Sequence, residues 1–108
     1  RSELDALNSN LNGMKIVTSS ITANASKTFT VESNSSILAV VLTNQTAAIG
    51  AFGISVTSSG SVYRQKIGGG ESIDISTTAT NSVTFTHSAS SGGGIIAFIC
   101  FSGGVSET

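Results

Sequence analysis

The chain has 108 residues, of which five are Lys or Arg and six are Asp or Glu, for a net charge of −1. That length allows one domain and at most a short appendage. The lone Cys100 excludes an intrachain disulfide, and five scattered cations exclude the basic footprint that nucleic acid demands.

In chain order, the first segment carries Leu4, Leu7, Leu11 and Met14 at spacings of three, four and three. That is a narrow coiled-coil seam, with polar Asn8, Ser9, Asn10 and Asn12 around it. Ser2 caps its start, Glu3 and Asp5 sit where the helix dipole favours anions, and Gly13 ends it. A helix below about 12–15 residues is marginal alone. The seam therefore either continues upstream, with the chain read as a piece of something longer, or leans on the domain that follows. The alternative is an amphipathic helix packed on its own domain. Residues 1–14 are expected to end a stalk, and residues 15–108 to form a head.

After Gly13 the pattern alternates. Strands are predicted over 15–22, 27–32, 37–43, 51–57, 61–67, 72–76, 82–87 and 95–101, divided by Asn-, Ser- and Gly-rich turns. About eight short strands at this spacing predict an all-β sandwich, jelly roll or barrel. Phe29 and Val31, Phe52, Ile54 and Val56, Ile73 and Ile75, and Val83 and Phe85 each alternate with small or polar residues, the mark of half-buried strands. Segments 37–42 and 95–101 are apolar on both faces. A sandwich strand buries one face, so the second needs a cover: a neighbouring subunit, the N-terminal helix or a loop. With no proline and three lysines, the sheet edges are either short or buried between subunits.

Charged residues are only 10% of the chain, and Ser and Thr supply close to a third, so hydroxyls pave the surface. That composition suits an extracellular or particle-surface setting. No apolar run reaches the roughly 18 residues of a membrane span, and the first eleven residues lack the apolar core of a signal peptide. A domain of this size buries only about 60–65% of its unfolded surface. With no disulfide and no expected metal or other cofactor, oligomerisation is the remaining supplement.

Little in the sequence points to catalysis. His87 is the single histidine and continues the apolar face of Val83 and Phe85, which places it at a strand end near the core or an interface. Copies meeting on a symmetry axis could instead share an ion there. Glu71 and Asp74 are an odd number of residues apart and so point to opposite strand faces, unlike a glycosidase pair. Gly68-Gly69-Gly70 is followed by Glu71 without the Lys-Ser/Thr of a phosphate loop, so both glycine runs are expected as hairpin loops. Cys100 is expected as an inert buried thiol. The one mixed aromatic and charged stretch is Tyr63, Arg64, Gln65 and Lys66. Tyr and Arg favour recognition sites, which makes these four the candidate receptor-binding residues; alternatively they form a solvated strand whose cations protect an edge.

The order of a Leu4, Leu7, Leu11, Met14 seam, a glycine, the strand opening Lys15-Ile16-Val17-Thr18 and the closing Phe98-Ile99-Cys100-Phe101-Ser102-Gly103-Gly104 resembles the C-terminal head of a bacteriophage tail-fibre or receptor-binding protein. The resemblance is one of layout across the whole chain. It implies a homotrimeric, jelly-roll-like β-sandwich on the virion surface that attaches to a host-surface saccharide or protein; the lone histidine and the unpaired carboxylates argue separately against enzymatic activity. A structural trimerisation knob, and a stalked trimer like those of complement C1q and tumour necrosis factor, share that layout. With no Trp and one Tyr, the aromatic platforms common in saccharide sites are scarce.

Overall fold

A computed structural model describes residues 14–108, so the Leu4, Leu7 and Leu11 seam lies outside the described residues. Met14 belongs to no regular element and immediately precedes the first strand. Nine strands follow: β1 (Lys15–Ile21), β2 (Ala25–Val31), β3 (Ser36–Thr43), β4 (Gly50–Val56), β5 (Val62–Gly69), β6 (Ile73–Ser76), β7 (Ser82–His87), β8 (Gly94–Ser102) and β9 (Val105–Glu107). A single 3₁₀ turn, Thr46–Ala48, joins β3 to β4. Asn24, Asn34 and Asn81 take positive φ of 53°, 63° and 57° in the turns, a conformation that Asn tolerates better than most residues.

The strands form two antiparallel sheets, β1-β8-β3-β4-β5 and β6-β7-β2-β9. The expected all-β sandwich is therefore present, with nine strands instead of about eight. Placing β1 beside β8 and β2 beside β7 gives the wrapped ends of a jelly roll. The consecutive meander β3-β4-β5 within one sheet departs from that topology. The glycine runs are not hairpin loops. Gly68–Gly70 leads from β5 in one sheet to β6 in the other, and Gly92–Gly94 leads from β7 to β8 across the same gap. The backbone there passes so close to its neighbours that a Cβ at Gly94 would fall on the Leu42 carbonyl oxygen. Hairpins and crossovers both need such residues, so composition does not separate them.

Alternation along each strand sends one set of side chains between the sheets. Phe85 of β7 sits edge-on to Phe29, Phe52 and Phe98, with centroids 5.7, 5.8 and 5.5 Å away, and Phe29 meets Phe98 at 4.8 Å. Two of these rings come from each sheet. Edge-to-face pairs of this kind add about 0.5–1.5 kcal/mol beyond their buried area. Ile73, Val31, Val41, Val83, Ile96 and Cys100 complete a dry interior.

Both flanks of the sandwich, where the sheet edges face each other, are closed by cations. On one, Lys27 of β2 donates to the Ser20 carbonyl of β1 at 2.8 Å and pairs with Glu107 of β9 at 2.6 Å; Ser19 of β1 donates to the same carboxylate at 2.9 Å. On the other, Arg64 and Lys66 of β5 reach across to β6. Lys27, Arg64 and Lys66 are thus placed on the flanks.

Candidate functional site

The two outer faces of the sandwich have opposite chemistry. On the four-stranded sheet, cross-strand rows run Asp74, Thr86, Ser26; then Ser76, Thr84, Thr28; then Ser82, Thr30, Ser106. Hydroxyls bond each other along these rows, Ser26 with Thr86 at 3.2 Å and Thr28 with Thr84 at 2.9 Å. This is the wet face that the Ser and Thr alternation predicts.

The outer face of the five-stranded sheet is mostly apolar. One row is Ile16, Ile99, Leu38, Gly53, Gln65; the next is Thr18, Ala97, Val40, Ala51; a third is Ser20, Ile95, Leu42. Ile16 is 71% exposed, Leu42 53% and Ile95 47%. Large apolar side chains gathered on one sheet face are uncommon on a monomer surface and mark an interaction site. The central position of β3 and β8 accounts for their two-sided apolar sequences: one side fills the core and the other forms this face. Among the described residues, no segment covers it.

At one end of this face, running across β5, β4, β3 and β8, lies an open groove of about 570 Å³. Its cross-strand row is Tyr63, Ser55, Ser36, and Phe101 completes it on β8. Ser36 pairs with Ser102 and Ile37 with Cys100, so Phe101 is the extra residue of a β-bulge. Bulges re-aim side chains and recur beside functional sites. Phe101 is the one phenylalanine outside the core, at 53% exposure. The sequence does not single it out, because β8 is apolar on both faces and a phenylalanine closing such a strand reads as core; its outward side follows from alternation with buried Phe98 and Cys100.

The four candidate residues on β5 divide by parity. Tyr63 and Gln65 point outward and line the groove. Arg64 and Lys66 reach toward the other sheet, and Arg64 also borders the groove. Arg64 Nε donates to the Ile75 carbonyl at 3.1 Å, while Lys66 Nζ donates to the carbonyls of Gly70 at 2.6 Å and Ile73 at 2.9 Å and lies 5.9 Å from the Phe52 ring centroid. Of the expected seam, Met14 alone is described, and it is exposed.

His87 is fully buried. Its Nδ1 accepts from the Ala89 N–H at 3.3 Å and its Nε2 faces the Gly92 carbonyl, which assigns the ring proton to Nε2. Both nitrogens thus serve the main chain and neither is presented to solvent. The Asp74 carboxylate accepts from the Ile75 N–H at 2.8 Å. Burial pushes the Cys100 thiol pKa up. Among the described residues no three His, Cys, Asp or Glu side chains gather as a metal site. A second groove, at one end of the sandwich, is lined by Gln45, Thr46, Ile49, Gly70 and Glu71 and has no aromatic wall.

No protein-family model matches the sequence, and no curated protein matches it. Among solved structures the chain is similar to a tailspike protein, gp49, of the Acinetobacter baumannii bacteriophage Fri1, a capsular polysaccharide depolymerase. The TM-score is 0.57 at 10% identity, over 97% of this chain and 23% of that one. The tailspike protein of Acinetobacter phage vB_ApiP_P1 aligns at a TM-score of 0.36 and 19% identity, over 91% of this chain and 23% of that one. The likeness to gp49 is one of fold, and the chain spans less than a quarter of either tailspike's length.

Proposed function

We propose that the chain is the head of a bacteriophage fibre or spike, exposed on the virion, which trimerises and attaches to a host-surface glycan. The observation that carries this reading is the fold likeness of 97% of the chain to part of a phage tailspike. The chemistry of the two outer faces supports it. In this arrangement the subunits meet through the β1-β8-β3 half of the apolar face, centred on Ile16, Ile95, Ile99, Leu38, Val40 and Leu42. The hydroxyl-covered sheet faces water.

Residues 1–14 end a coiled-coil stalk whose seam is Leu4, Leu7, Leu11 and Met14, and residues 15–108 form the head. The polysaccharide cleavage named for gp49 is not carried over to this chain. In this reading it binds and does not cut, because its histidine is committed to the main chain and its β-domain acids are not paired across the groove. Receptor contact falls to the outward residues of β5, Tyr63 and Gln65.

The test is competition. The isolated domain, added before phage, is expected to block adsorption to susceptible cells. Failure on cells that adsorb the parent particle would leave a trimerisation knob in place of a receptor-binding head.

A further inference from the structure

Resting on that reading, we infer that the groove between Tyr63 and Phe101 is a saccharide subsite that holds a pyranose unit of a bacterial surface polysaccharide against two aromatic walls. A sugar ring is amphipathic. Its C–H faces are apolar and its rim is a belt of hydroxyls. A matching site needs exposed aromatic surface for the faces, small side chains beneath, and a few hydrogen-bonding groups at the edge.

The row Tyr63, Ser55, Ser36, Phe101 has that composition. The walls are Tyr63 at 65% exposure and Phe101 at 53%. They stand on β5 and β8, with β4 and β3 between them, so their backbones are about 14 Å apart at ~4.8 Å per strand. The floor between is two serines, with Gly53 in the next row. A side chain larger than serine at position 55 or 36 would fill the gap between the rings. Ser36 and Ser55 offer hydroxyls from below, and the Gln65 amide offers a donor and an acceptor from the side. At about 570 Å³ the groove falls within the range of small-ligand sites, about 300–1,000 Å³.

Two observations argue that the walls are placed for a ligand. Four of the five phenylalanines pack in the core, and the alternation of β8, with Phe98 and Cys100 inward, turns the fifth outward. Both walls also stand on strands of one sheet, which holds a site more rigidly than loops do. The Tyr63, Gln65 and Ser55 side of the groove lies on β5 and β4, outside the β1-β8-β3 half assigned to the subunit interface, while Ser36 and Phe101 stand on β3 and β8 at its border. A trimer built on that half therefore leaves the β5 side open to a polymer running along the head.

The chain carries its own reporter, since Tyr63 is the sole tyrosine and there is no tryptophan. The intact protein is titrated with oligosaccharides made by partial hydrolysis of capsular polysaccharides from a panel of strains. Binding is followed by calorimetry and, in parallel, by tyrosine fluorescence. A saccharide that binds is expected to change Tyr63 emission with the same midpoint as the heat. Tyr63→Thr and Phe101→Thr are expected to weaken binding about tenfold or more each, the loss typical of truncating a recognition anchor. Ser55→Trp, which fills the floor, is expected to abolish it. Thr84→Ala on the opposite face is expected to leave it unchanged. Heat of binding with silent Tyr63 emission, or groove variants that keep wild-type folding, mass and affinity, would overturn the subsite and leave the glycan-binding head standing. A wild-type protein that binds no member of the panel would overturn the glycan reading and the subsite with it.

Discussion

Arg64 Nε donates to the main-chain oxygen of Ile75 at 3.1 Å, joining the edge strand of one sheet to the edge strand of the other. Lys66, two residues on and on the same side of β5, repeats the link through Ile73 and Gly70. These bonds satisfy β6 and Gly70 carbonyls that would otherwise rely on water. Adjacent residues on one strand therefore have different tasks, and stability and binding should separate by parity. Lys66→Met keeps the stem over Phe52 and loses two charge-assisted bonds, so it is expected to cost about 1–2 kcal/mol in urea unfolding, less than fully buried bonds would. Tyr63→Thr and Gln65→Thr keep β propensity and are expected to stay within about 0.5 kcal/mol of the parent. Equal losses at all three positions would show that β5 works as one structural unit.

The apolar face predicts oligomeric mass. Leu42 and Ile95 are about half exposed in the single chain, so a charge at either costs the isolated fold little. In a trimer, each Asp would lie in a desolvated interface in place of a side chain worth about 1.5–3 kcal/mol of burial. Leu42→Asp and Ile95→Asp are expected to lower the mass seen by light scattering from about three times 10.8 kDa to that of one chain. Thr84→Asp, on the hydroxyl face, is expected to change nothing. Leu11→Asp tests the stalk seam in the same assay and is expected to weaken the assembly. A parent protein that runs as a monomer would remove the trimer.

The sequence shows the strands and hides the relations between them. Strands such as Phe29 to Val31 and Val83 to Phe85 alternate because each has one dry and one wet side, a rule that acts within a few residues. The eight predicted strands accordingly lie within about two residues of the observed ones. Val105–Glu107 escapes the rule because three residues with one apolar side chain show no period; pairing with β2 makes it a strand. The flank bonds of Arg64 and Lys66 were not legible either, because they depend on which strand faces β5 across the sandwich. The outward side of Phe101 follows from the alternation of β8, but its neighbours across the sheet are hidden for a related reason: a one-residue slip in the β3–β8 register sets them.

Cys100 offers a probe of opening. Its side chain is fully buried in β8, and burial raises the pKa of the thiol, so both access and thiolate fraction are low in the folded protein. Labelling by a disulfide reagent at pH 8 is expected to be slow and to accelerate with urea in step with global unfolding. Rapid labelling without denaturant would show that β8 opens locally. Phe85→Ala, which removes the ring at the centre of the aromatic cluster, is expected to cost about 3–5 kcal/mol and to make Cys100 labelling fast even in buffer.

The other flank predicts acid sensitivity. Hydrogen bonds from Lys27, and then from Ser19, lower the pKa of Glu107 below its ordinary value of 4.5. A carboxyl whose folded pKa is depressed binds its proton more readily in the unfolded chain. Its contribution is therefore complete above about pH 4.5 and is lost as pH falls through the lower, folded value. Glu107 is on β9 and its partners are on β2 and β1, so protonation frees a short strand from its neighbours. Between about pH 5 and pH 3, hydrogen exchange is expected to quicken at the amides of β9 and of its partner stretch Phe29–Val31, relative to the acid-corrected intrinsic rate. Glu107→Gln is expected to show that faster exchange already at neutral pH and to flatten the acid step. An unchanged step in Glu107→Gln would assign the acid response to another carboxylate.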